Sequence, residues 1–130
     1  MDEEQTARQI LDDLQTAVAS KDLDRVVALL DDDVVVFGTA AANLGLEQTT
    51  SYLAALLQLD GTVRWGWDHV LPLASEPGLL AFAVLGTAGV EDDDGVPDGD
   101  PDPFRLTCVA VLRDDRWRLR HFHGSFPYTD

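Results

Sequence analysis

The segment WRLRHFHGSFP, residues 117–127, carries the pattern from which the fold can be predicted. Its residues alternate, and residues two apart on a strand share one face at a spacing of about 6–7 Å. One predicted face carries Trp117, Leu119, His121, His123 and Ser125, and the other carries Arg118, Arg120, Phe122 and Phe126. The segment therefore predicts a final strand that brings both histidines to a single wall of the domain.

Upstream of this strand, the spacing of apolar residues changes from helical to extended. Apolar residues at helical spacing predict helices around 10–18, 23–30 and 46–59, and Asp22 is a predicted N-cap. Strands are predicted over 34–37, 62–73, 79–90, 104–113 and 116–126, with a loop over 40–45 and a turn at 75–78. The nearly continuous apolar composition of 79–90 predicts that both faces of that strand are covered. Helices followed by antiparallel strands predict one α+β domain over 1–130, a curved sheet packed on three N-terminal helices.

The composition restricts the class of partner. The sequence has 24 acidic and 9 basic residues and a formal net charge of −15, which disfavours nucleic acid and anionic membrane surfaces. No apolar run reaches the roughly 18 residues that span a bilayer. The polar N-terminal residues do not resemble a secretory signal, and the single cysteine, Cys108, lies in an apolar segment as a core residue would. These features predict a cytoplasmic protein.

The acidic segment 91–102 raises the question of calcium. An EF-hand loop that began at Asp94 would have Asp98 and Gly99 at positions 5 and 6, as required. Positions 3 and 12 would be Val96 and Arg105, which cannot serve as carboxylate ligands. The sequence therefore predicts a solvated hairpin loop, and no metal or other cofactor is expected.

Three features together resemble SnoaL-like domains of the nuclear-transport-factor-2-like superfamily. They are the segment DDDVVVFGT after two helices, the residues RLT in the penultimate strand, and WRLRHFHGSFP. The resemblance covers nearly the whole chain and implies a cone-shaped α+β fold, a deep pocket between sheet and helices, and a homodimer formed through the sheet. It implies no single chemistry, because the superfamily includes cyclases, isomerases, hydrolases and domains without known activity. Residues 39–44 are uncharged here, where such domains often carry acids.

Candidate site residues come from the strands and the third helix. The predicted catalytic residues are His121, His123 and Asp68, since histidine and a desolvated carboxylate are suited to acid–base chemistry. The predicted ligand-binding residues are Tyr52, Trp65, Trp67, His69, Arg105, Thr107 and Ser125. By alternation Trp65, Trp67 and His69 would share one face, and the aromatic rings would suit a flat aromatic or polycyclic ligand. A zinc or iron site formed by the three histidines is a further alternative.

Three functions follow from these residues. The first is a domain that binds a small, largely apolar organic ligand. The second is a cofactor-independent enzyme of cyclase, isomerase or epoxide hydrolase type that uses histidine and aspartate. The third is a dimerisation module without catalysis. A histidine or carboxylate inside the pocket would favour the enzyme.

Overall fold

The protein is described by a computed structural model that covers residues 2–38 and 41–127. The helices are α1 (Glu3–Ser20), α2 (Leu23–Val27) and α3 (Gly45–Leu57). The strands are β1 (Leu30–Phe37), β2 (Ala42–Leu44), β3 (Thr62–Glu76), β4 (Leu79–Glu91), β5 (Asp102–Arg113) and β6 (Arg116–Ser125). Thr39 and Ala40, the second of which begins the segment predicted as a loop, lie outside the described residues.

The six strands form one sheet in the order β2-β1-β6-β5-β4-β3. All neighbours are antiparallel except β1 and β6, which run parallel. The α+β prediction is confirmed, and the short strand β2 was not anticipated. It occupies the part of the predicted loop that pairs with the end of β1.

Two capping arrangements begin the first helices. Asp2 accepts a hydrogen bond from the backbone N–H of Gln5 at 2.8 Å, and the Gln5 side chain accepts one from the N–H of Asp2 at 3.1 Å. Asp22 accepts from the N–H groups of Asp24 and Arg25, so its predicted N-cap role is confirmed. These bonds satisfy backbone donors that the first turn of a helix leaves free.

The helices pack on one face of the sheet, which we call the inner face. Strand β5 shows the alternation clearly, since Phe104, Leu106, Cys108 and Ala110 are buried while the residues between them are more exposed. Phe82 and Leu119 are also buried in this core. The core placement predicted for Cys108 is confirmed.

The opposite side of the sheet, the outer face, is not covered by any described element. Leu71 and Leu85 lie there, with 47% and 46% of their surface exposed. The prediction that β4 is covered on both faces is therefore wrong for the single chain.

Candidate functional site

A β-bulge in β6 changes which side chains face the helices. Ala110 pairs with Leu119, but Val109 pairs with His121, so Arg120 is an extra residue in β6. Because the side-chain period of a strand is two, one extra residue moves every later side chain to the other face. His121, His123 and Ser125 therefore lie on the outer face, and Phe122 on the inner face. The predicted stripe that joined Trp117 and Leu119 to the histidines is wrong.

A second bulge, in β3, separates the tryptophans from His69. Trp67 pairs with Gly86, whereas His69 pairs with Leu85, so Asp68 is the extra residue. Trp65 and Trp67 pack against the core, with ring centroids 5.7 Å apart. His69 lies on the outer face and is exposed, as is Asp68. The predicted shared face for Trp65, Trp67 and His69 is wrong.

The inner face and the helices enclose a small apolar cavity of about 80 Å³. Its aliphatic lining comes from three helices and two strands and consists of Leu14, Val18, Val26, Leu30, Val36, Leu53, Leu56 and Leu119. Tyr52, Trp65 and Phe122 supply aromatic walls, and the Trp65 and Phe122 centroids are 6.3 Å apart. A cavity of roughly 150 Å³ accommodates benzene. The present cavity is therefore too small for the polycyclic ligand that the aromatic residues predicted.

Two hydroxyl groups line this cavity among the described residues, those of Thr49 and Tyr52, and Trp65 adds an indole N–H group. The Thr49 hydroxyl donates to the carbonyl oxygen of Gly45 at 2.8 Å within α3, so its proton is already used. The Tyr52 hydroxyl lies beside Gly38, where an added Cβ would be 3.3 Å from the hydroxyl oxygen. The absence of a side chain at Gly38 thus leaves room for the Tyr52 hydroxyl.

The histidines belong to a separate aromatic cluster on the outer face. Phe37 makes edge-to-face contacts with His121 and His123 at centroid distances of 5.3 and 5.5 Å. The Nδ1 atom of His121 lies 2.8 Å from the carbonyl oxygen of Val35, at hydrogen-bonding distance. These contacts hold the His121 ring against β1, on the side of the sheet opposite to the cavity.

The other predicted site residues also lie on the outer face. Arg105 pairs with Ser125, and Thr107 with His123, across β5 and β6. Arg105 and Thr107 are exposed, and Ser125 is partly buried. Within residues 2–38 and 41–127, no three His, Cys, Asp or Glu side chains form a metal-binding group. The catalytic and ligand-binding roles given to these residues remain predictions.

Asp31 of β1 is a buried carboxylate that the sequence did not single out, and it contacts Arg113 of β5 and Arg120 of β6. The Asp31 side chain is 6% exposed, 3.1 Å from Nε of Arg113 and 3.9 Å from Nε of Arg120. Burial acts to raise the pKa of Asp31. The hydrogen bonds donated by Arg113 and by the Asp33 N–H, together with the charges of Arg113 and Arg120, outweigh this effect, so the pKa lies below that of a free aspartate. Asp31 does not line the cavity, so this group stabilises the junction of the strands.

The fold and cavity define a class of protein in which a curved sheet and a helical layer enclose a pocket. The chain belongs to the SnoaL-like domain family, whose profile matches residues 7–129. No curated protein matches the sequence at a significant level. No helix in the described part of the chain is long and apolar enough to cross a membrane.

Solved structures share this architecture at low sequence identity. An NTF2-like protein of unknown function from Pseudomonas putida KT2440 is 20% identical with a TM-score of 0.78, over 97% of this chain and 87% of that chain. ActVI-ORFA from Streptomyces coelicolor is 14% identical with a TM-score of 0.78, over 95% and 96%. An uncharacterized protein with a cystatin-like fold from Caulobacter vibrioides is 20% identical with a TM-score of 0.78, over 99% and 93%. These similarities show the fold alone.

Proposed function

We propose that the protein binds a small, largely apolar organic molecule in the cavity between the inner face and the helices. The observation that carries the proposal is a lining of aliphatic and aromatic side chains around the hydroxyl of Tyr52. Most ligand pockets combine an apolar wall with few polar groups that orient the ligand. The volume of about 80 Å³ is about half of that which accommodates benzene, so it favours a ligand body of about three carbon atoms.

A hydrocarbon probe tests this proposal, because it isolates the contribution of the apolar wall. 2-Methylpropene added to the isotope-labelled protein should shift the NMR signals of Trp65 and Phe122. Leu53→Trp would fill the cavity from α3 and should abolish these shifts. Leu59→Trp is the matched control, since Leu59 is 61% exposed and does not line the cavity. Shifts that persist in the folded Leu53→Trp variant would contradict the proposal.

The outer face favours a second function, homodimer formation through the sheet. On this face the exposed Leu71 lies opposite Ala83, and the exposed Leu85 lies between His69 and Arg105. Exposed apolar surface rimmed by polar residues is typical of protein interfaces. A homodimer could form with or without ligand binding, so the two functions are compatible.

Light scattering combined with gel filtration tests the dimer. The wild-type chain should have a mass of about 28 kDa, twice the 14.2 kDa of one chain. Leu85→Asp should yield a folded monomer, because two carboxylates would be brought into the centre of the interface. Leu59→Asp introduces the same charge outside the outer face and should leave the dimer intact. A wild-type monomer at 0.1 mM would overturn this second function.

The enzyme hypothesis has no comparable support. Among the described residues, no histidine, aspartate or glutamate lines the cavity. The groups predicted to act as acid and base, His121, His123 and Asp68, lie away from it. Ligand binding is therefore the function that the geometry favours.

A further inference from the structure

A buried amide in β2 lacks a hydrogen-bond partner. Asn43 is 9% exposed, and its Nδ2 atom has no acceptor within residues 2–38 and 41–127. Most buried polar groups are hydrogen-bonded, and leaving a donor without a partner is unfavourable. An amide donor buried in such a place needs an acceptor that the described residues do not supply.

The position of Asn43 links it to the cavity. Asn43 pairs with Val36 of β1, and Val36 lines the cavity, so the Asn43 side chain emerges on the same face of the sheet. An open cleft beside the cavity is lined by Asn43, Glu47, Gln48, Ser51 and Tyr52. Tyr52 is common to the cleft and the cavity. The cleft and the cavity are therefore adjacent parts of one potential site.

The junction between β2 and α3 is held by a side chain of the same cleft. The Oε1 atom of Gln48 accepts a hydrogen bond from the N–H of Leu44 at 2.8 Å. This bond fixes the strand residue that follows Asn43 relative to the first turn of α3. The NH₂ group of Gln48 remains a donor, and Glu47 is the one charged residue among the described residues that line the cleft.

We propose that Asn43 and Tyr52 donate hydrogen bonds to a neutral carbonyl oxygen at one end of the ligand, whose apolar body occupies the cavity. The inference rests on the proposed function and names its ligand class, a small ketone, aldehyde or ester. A carboxylate ligand is disfavoured, because Glu47 and the net charge of −15 would repel it. The donors are amide and phenol groups, which select an acceptor without requiring a charge.

A matched pair of probes isolates the carbonyl group. Acetone and 2-methylpropene have nearly the same shape and differ by an oxygen in place of a CH₂ group. One net hydrogen bond corresponds to a preference of about three- to tenfold for the ketone. The preference should disappear in Asn43→Leu, which keeps the side-chain volume and removes the donor. Gln58→Leu removes an exposed amide outside the cleft and should retain the preference.

A wild-type measurement protects the test against a variant that fails to fold. Asn43 is the only asparagine in the sequence, so ¹⁵N-asparagine labelling gives one side-chain nitrogen with a single pair of amide proton signals. Acetone should shift one of these signals downfield, and 2-methylpropene should leave both almost unchanged. Tyr52→Phe should reduce the ketone preference without changing hydrocarbon binding.

The outcomes separate this inference from the function on which it rests. If both probes bind equally and the Asn43 amide does not move, the carbonyl inference is overturned while cavity binding stands. If neither probe binds, the proposed function fails and the inference fails with it. A ketone preference that is lost with Asn43→Leu supports both.

Discussion

The side-chain amide of Gln15 in α1 forms two hydrogen bonds with the backbone of β3, at Val63 and at Trp65. Its Oε1 atom accepts from the N–H of Trp65 at 2.7 Å, and its Nε2 atom donates to the carbonyl oxygen of Val63 at 3.0 Å. Strand β3 lies at the edge of the sheet, so these backbone groups have no neighbouring strand. The amide of Gln15 takes the place of a strand partner, and it fixes the residue whose ring forms a wall of the cavity.

We expect Gln15→Leu to destabilise the fold by about 2–4 kcal/mol, because it leaves a backbone donor and acceptor without partners. Gln9→Leu is the matched control, since Gln9 is exposed on the same helix and bonds only to Asp13. The control should change the free energy of unfolding by less than about 0.5 kcal/mol. Urea denaturation followed by tryptophan fluorescence measures both, and equal effects would contradict the role given to Gln15.

The ion pairs of Asp31 should make stability depend on pH. The pKa of Asp31 is lower in the folded protein than its ordinary value, so the unfolded chain binds a proton first as the pH falls. The stabilisation is therefore complete above the unfolded pKa of about 4 and is lost as the pH falls through the folded pKa. Asp31→Asn should cost about 1–3 kcal/mol at pH 7, and its difference from wild type should narrow below about pH 4.

The neighbouring Asp32 provides the control for this pH dependence. Asp32 is exposed and makes no ion pair within the described residues, so Asp32→Asn should have little effect at either pH. Chemical denaturation at pH 7 and at pH 3.5 compares the three proteins. A difference between Asp31→Asn and wild type that stays constant over this range would show that charge does not stabilise the junction.

The bulge in β3 requires a glycine on the adjacent strand. A Cβ atom at Gly86 would overlap the carbonyl oxygen of Gly66, which is backbone and cannot rotate away. Gly86→Ala should therefore destabilise the protein by about 2–3 kcal/mol. Gly89→Ala is the control on the same strand, because its Cβ would meet Pro101 at 3.4 Å, an ordinary contact. Similar melting temperatures for the two variants would argue against the close approach.

The thiol of Cys108 should be unreactive in the native protein. Cys108 is fully buried, and burial raises its pKa, so both access and the reactive thiolate are suppressed. A disulfide reagent at pH 8 should modify Cys108 only as fast as the protein unfolds. An exposed thiol introduced by Leu59→Cys, outside the outer face, should react within seconds and serves as the positive control. Rapid modification of the wild-type protein would contradict the burial of this thiol.

Local patterns were sufficient for most elements of the fold. The apolar spacing of residues 10–18 and 46–59 predicted the helical face that packs on the sheet, and Asp22 was recognised from its position before Leu23. Tyr52 and Trp65 were named as ligand-binding residues and line the cavity. These predictions succeed because a cap or an apolar face depends mainly on neighbours along the chain.

The residues missed were those whose role depends on distant partners. Asn43 was assigned to a loop, since a three-residue strand has no periodicity to detect, and its pairing with Val36 is set by β1. Asp31 is one of three consecutive aspartates, and only the approach of Arg113 and Arg120 distinguishes it from Asp32. Phe122 was placed on the wrong face because the extra residue at Arg120 is visible only in the pairing of β6 with β5.

The sequence alone determined the fold class, the order of most elements and the burial of Cys108, because hydrophobic periodicity and capping are local properties. The tertiary structure decided which side chains reach the cavity. The extra residues Arg120 in β6 and Asp68 in β3 reverse the face of the side chains that follow, up to any further bulge, and strand alternation counted along the sequence cannot detect such a shift. Phe122 therefore faces the cavity, while His69, His121 and His123 face outward.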